Sequence, residues 1–143
     1  MEAAFPNMKG VKKLIIRARG RGLSFFEVAP EYIRSFTDSV IISIAAITGA
    51  ELPESDLLAN SLSKEVEVLL NDFGYSDLTL EEVLLAVRLN YSSSFKNPYG
   101  TDFEIGVAGN RVNVAFLSVV LNNYKTYRDF MDIEFENKIK SKL

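Results

Sequence analysis

LTLEEVLLAVRLN, Leu78 to Asn90, decides how this chain folds. Thr79 and Glu82 stand three residues apart just ahead of an apolar run. That is the spacing of a capping box, in which the Thr79 hydroxyl accepts the Glu82 amide proton while the Glu82 carboxylate reaches back. Leu80, Val83, Leu84, Val87 and Tyr91 then share one helical face.

The same reading extends to both sides. Upstream, Pro30 and Glu31 suit a first helical turn, and Ile33, Phe36, Val40, Ile44 and Ile47 keep a helical period up to the stop at Gly49. Ile41, Ile42, Ala45 and Ala46 widen that stripe, so this helix is expected either at the centre of a bundle or against another chain. A second helix runs from Pro53–Asp56 to Gly74, with Leu58, Leu62, Val66, Leu69 and Phe73 inward. Downstream, Ser92 to Thr101 reads as a loop, and FEIGVAGNRVNV (Phe103 to Val114) as a β-hairpin turning at Gly109-Asn110. Asn113 is a candidate N-cap for the longest helix, on which Leu117, Val120, Leu121, Tyr124, Tyr127, Met131, Phe135 and Ile139 recur every three or four residues.

Charge is distributed unevenly along a chain of 143 residues and net charge −3. Lys9, Lys12, Lys13, Arg17, Arg19 and Arg21 form a run without an acid, whereas Glu27 to Glu82 holds twelve acids against Arg34 and Lys64. Leu14-Ile15-Ile16 and the glycines around Arg21 leave two forms open for the basic run, an edge strand or a flexible arm. The fold expected is therefore mainly α: a four-helix domain over residues 25–143, a minor β-hairpin, and a basic N-terminal arm or edge strand over residues 1–24.

Composition limits the chemistry. The chain has no His and no Cys, which removes histidine-based triads, thiol nucleophiles and His- or thiolate-bound zinc. Glu65, Glu67, Glu81 and Glu82 read as solvated faces and a cap, and Asp102 with Glu104 as a loop edge, so no metal site and no catalytic residue is assigned. Gly106 to Gly109 has GxxG spacing but falls in the expected hairpin, and no phosphate-binding glycine loop is present in the sequence. No cofactor is expected. The most apolar run, Val40 to Ala50, is too short to span a bilayer, and the lack of Cys fits a cytoplasmic setting, with the virion as the alternative.

Two binding sets follow. The six basic residues would contact DNA or RNA phosphates without reading sequence, or meet an acidic partner surface. Ile41, Ile42, Tyr124, Tyr127 and Phe130 would form the apolar interface to a protein partner or to copies of the chain.

LTLEEVLLAVRLN, the Tyr99-Gly100 loop and VNVAFLSVVLNNYKTYR (Val112 to Arg128) together resemble a family of small helical proteins of Bacteroidetes phages and mobile elements, encoded near replication genes. Leu80, Glu82, Val83, Ala86, Arg88 and Asn90 match its capped helix; Leu121, Asn122, Tyr124, Tyr127 and Arg128 match its final helix. Val87 stands where that family has Phe. The resemblance covers about a third of the chain and implies a replication-accessory role. A non-enzymatic adaptor that docks on a replication protein is the leading expectation, and a virion or assembly component forming a homo-oligomer is the alternative.

Overall fold

Five α-helices are found in the computed structural model, which describes residues 8–91 and 111–141. They are α1 (Met8–Arg19), α2 (Ile33–Thr48), α3 (Asp56–Asp72), α4 (Leu80–Tyr91) and α5 (Val114–Ser141). Short 3-10 turns at Phe25–Glu27 and Pro30–Tyr32 lead into α2.

The chain is mainly helical, as the periodicities require, but its centre is α4. Val83, Leu84, Leu85, Ala86, Val87 and Leu89 are all buried, because α1, α2 and α5 each pack on α4. α2 packs on α4 and on α3, and α3 also meets α5. The sequence leaves Val40–Ile47 either at the centre of the bundle or against another chain, and the centre is taken by α4. α2 buries Phe36, Thr37, Val40, Ile41 and Ile44, while Ile42 remains exposed.

The basic run also differs from expectation. It is neither an arm nor an edge strand: Met8–Arg19 is helix α1. An edge strand would place Val11 and Ile15 on one side and Ala18 on the other. Instead Val11, Ile15 and Ala18, at helical spacing, are buried, Ile15 completely, and Leu14 and Ile16 face outward. Three apolar side chains on one helical face outweigh the β propensity of two branched residues, because burial against α4 stabilises each by roughly 1.5–3 kcal/mol for the larger ones. Arg17 and Arg19 then sit in the last turn, where the helix dipole favours cations.

Local stops and caps follow the residues. Thr79 Oγ1 accepts from the Glu82 amide at 3.1 Å, and the Thr79 amide donates to Glu82 Oε1 at 3.3 Å, completing the capping box. Ser55 caps α3 by accepting from the Leu58 amide, and Asn113 caps α5 by accepting from the Phe116 amide at 2.9 Å. α2 ends at Gly49 with φ of 77°, and Gly74 follows α3 with φ of 87°, a left-handed backbone that disfavours side chains.

The expected hairpin falls on 103–114, most of which lies outside the described residues. At its far end Arg111 pairs in parallel with Glu51, the Val112 amide donates to the Glu51 carbonyl at 3.0 Å, and Val114 opens α5. The α3 stripe is narrower than its spacing suggests. Val66, Leu69 and Leu70 are buried, whereas Leu58 and Phe73 are exposed at the two ends.

If α1 is a docked helix, Ile15→Ala lowers stability by about 2–4 kcal/mol, through lost burial and a residual cavity. Urea unfolding measures this. An unchanged midpoint would mean that α1 contributes nothing to the core.

Candidate interaction surface

Glu82 is buried at the start of α4, 1% exposed, and every partner it has is a donor. Its Oε2 accepts from the Tyr124 hydroxyl at 2.8 Å and from Arg128 Nη1 at 3.0 Å, both on α5. Arg128 Nη2 donates in turn to Asp77, which also accepts from Lys125 Nζ at 2.8 Å. Lys125 reaches the Gly74 carbonyl as well, so one face of α5 grips the whole turn between α3 and α4. The Thr79 hydroxyl gives its own proton to the Ala18 carbonyl at 2.9 Å, a second bond beside that from the Arg21 amide, and so ties the C-terminal end of α1 to the cap.

The electrostatics follow from this packing. Burial, the Glu82 charge and its hydrogen bond all push the Tyr124 phenol far up, so Tyr124 stays protonated and donates. Burial raises the Asp77 carboxyl, but hydrogen bonds from Lys125 and Arg128 and their charges outweigh it and hold Asp77 below the ordinary carboxylate value. Burial opposes the Arg128 charge, and Asp77 and Glu82 more than compensate. The cluster is closed to solvent at Glu82 and Arg128, so its role is to clamp helices.

That clamp sets the surface beside it. Beyond Tyr127, side chains of α5 reach across to α1. Arg19 donates to both oxygens of Asp132, at 2.8 and 3.3 Å, and Lys12 pairs with Glu134 at 3.3 Å. Between these ion pairs lies a groove of about 430 Å³, floored by Ile16, Met131 and Phe135 and edged by Lys138. Ile16 is 64% and Phe135 65% exposed.

The basic residues therefore divide into two groups. Lys12 and Arg19 are committed to α5, Lys9 lies in the first turn of α1, and Lys13, Arg17 and Arg21 are exposed with no ion pair among the described residues. Of the two aromatics next to this segment, Phe25 is buried edge-on to Phe36 with ring centroids 5.1 Å apart, and Phe26 is exposed.

The expected apolar interface is largely corrected. Ile41, Tyr124 and Tyr127 are buried in the chain's own core, where α4 and α5 use them, and Phe130 is half-buried. Only Ile42 is fully at the surface. Leu52, Leu57 and Leu58, which the sequence reading did not assign to a surface, are exposed as well. Asp38 on α2 accepts from Ser63 on α3, which sets an antiparallel register and brings Ile42 to the same end of the pair as Leu58. A helix stripe read from spacing alone does not reveal that its terminal residues overhang the neighbouring helix. No described helix is long and apolar enough to cross a membrane.

The Asp77 carboxylate supplies a pH test. Its folded value lies below its unfolded one, so its contribution is present above the ordinary carboxylate range and is lost as pH falls through the lowered value. Wild type is expected to be more stable than Asp77→Asn near neutrality, with the gap closing as pH falls through and below the ordinary carboxylate range. Denaturation midpoints across pH read this directly, and a pH-independent gap contradicts the ion pairing.

No protein-family model, curated protein or solved structure matches the chain, so its surface chemistry carries the functional reading.

Proposed function

We propose that the chain is a non-enzymatic accessory protein of a phage or mobile element, which docks on a replication protein or a similar assembly and touches nucleic acid through α1. The observation that carries this reading is the outward row on α1. Lys13 and Arg17 are one helical turn apart, Arg21 follows just past the helix end, and all three are exposed with no ion pair among the described residues. Such a row suits phosphates on a backbone and gives no means of reading bases. The exposed apolar residues Ile42, Leu52, Leu57 and Leu58 at one end of the α2–α3 pair support docking on a protein partner. The likeness of Leu78–Asn90 and Val112–Arg128 to replication-associated phage proteins points the same way.

A structural component that forms a homo-oligomer is the second reading. The observation favouring it is the uncovered groove between α1 and α5.

Binding to a short single-stranded DNA at several salt concentrations tests the first reading. Affinity should fall with salt, and Lys13→Ala, Arg17→Ala and Arg21→Ala combined should lower the slope of log K against log salt by about 2, at roughly 0.7 per phosphate contact. Lys12→Ala should leave that slope nearly unchanged. A triple variant that binds as tightly as wild type at low salt overturns the assignment.

A further inference from the structure

We infer that the groove between α1 and α5 is closed by the α5 tail of a second copy of this chain, laid antiparallel to the first. The apolar stripe of α5 does not stop where the body stops. Met131 is its last buried member, and Phe135 and Ile139 continue the stripe while 65% and 46% exposed. Across the groove Ile16 of α1 is equally uncovered, at 64%. A single copy therefore leaves both walls of one apolar groove in water.

The charges identify the occupant. The tail has an acidic block, Asp129, Asp132, Glu134 and Glu136, followed by a basic one, Lys138 and Lys140. Two such tails side by side in parallel would set acid against acid and base against base. Laid antiparallel about Asn137 with Phe135 and Ile139 facing inward, the two helices set Glu136 beside Lys140 of the second copy on one flank and Glu134 beside Lys138 on the other, in both directions at once. Phe135 and Ile139 of each then enter the apolar groove of the other. The contact uses the same patch on both copies and closes after two, so it forms a dimer and no filament. The described part of the tail, from Asp132 to Ser141, is about 15 Å long at ~1.5 Å per residue. That is long enough to lie along the groove.

This association is independent of nucleic-acid contact, because Lys13, Arg17 and Arg21 lie outside the groove lining. A monomer that binds DNA would overturn the dimer alone, and a dimer indifferent to DNA would overturn the α1 contact alone.

Light scattering of the full chain over a concentration series is the test. The expected mass is twice 16.0 kDa. Glu136→Lys and Lys140→Glu should each weaken the dimer about tenfold or more, through like charges placed face to face. The double variant, carrying both changes, should restore the dimer, a rescue that a folding defect could not give. Phe135→Asp should yield a monomer whose circular dichroism is still helical. A wild type that stays monomeric at every concentration overturns the inference, as does a double variant no better than its parents.

Discussion

A single carboxylate organises this structure. Glu82 is removed from water at the start of the central helix, where an ionised group is costly unless donors replace its hydration. Three side chains or backbone groups do so: Arg128, Tyr124 and the Thr79 amide. Because two of these lie on α5, the carboxylate determines which face of α5 meets α4. Thr79, held in the same capping box, bonds the end of α1. Three helices converge on one cap, and any packing that rotated α5 by a residue or two would strand the buried charge of Arg128 or Glu82.

The consequence for the surface is direct. Once Tyr124, Tyr127 and Arg128 face inward, Asp132 and Glu134 are carried one turn farther along α5 to the side where α1 lies. There they neutralise Arg19 and Lys12. The concentration of positive charge near the N-terminal end of an acidic protein thus has two roles. Part of it seats α1 against the acidic stretch of α5, and the rest, Lys13, Arg17 and Arg21, remains turned outward. Exposed ion pairs of this kind contribute only about 0–1 kcal/mol each, so the apolar face of α1 holds the helix and the pairs orient it.

Much of this was legible in the sequence wherever the signal was local. The Thr79–Glu82 capping box, the Asn113 cap and the stops at Gly49 and Gly74 each depend on a few neighbouring residues. What depended on distant partners was harder to read. LIIRARG carries strong β formers, and only the spacing of Val11, Ile15 and Ala18, together with the presence of α4 to receive them, makes it a helix. Tyr124 and Tyr127 have the amphipathic character of interface residues. The burial of Tyr124 follows from Glu82, 42 residues away, which takes the phenol proton donor into the core. The overhang that exposes Ile16, Phe135 and Leu58 is a property of helix lengths and crossing positions, and hydrophobic periodicity does not encode it. The expected hairpin over 103–114 lies mostly outside the described residues.

The central claim is that Glu82 and Arg128 act as one unit, and a double-mutant cycle on stability tests it most directly. Replacing either partner alone, by Glu82→Gln or Arg128→Met, leaves an uncompensated buried group and should cost about 3–5 kcal/mol. Replacing both should cost well under the sum, with a coupling above about 1 kcal/mol. Additive losses would contradict the account, because they would mean that the two side chains stabilise the fold separately and that no shared clamp joins α4 to α5.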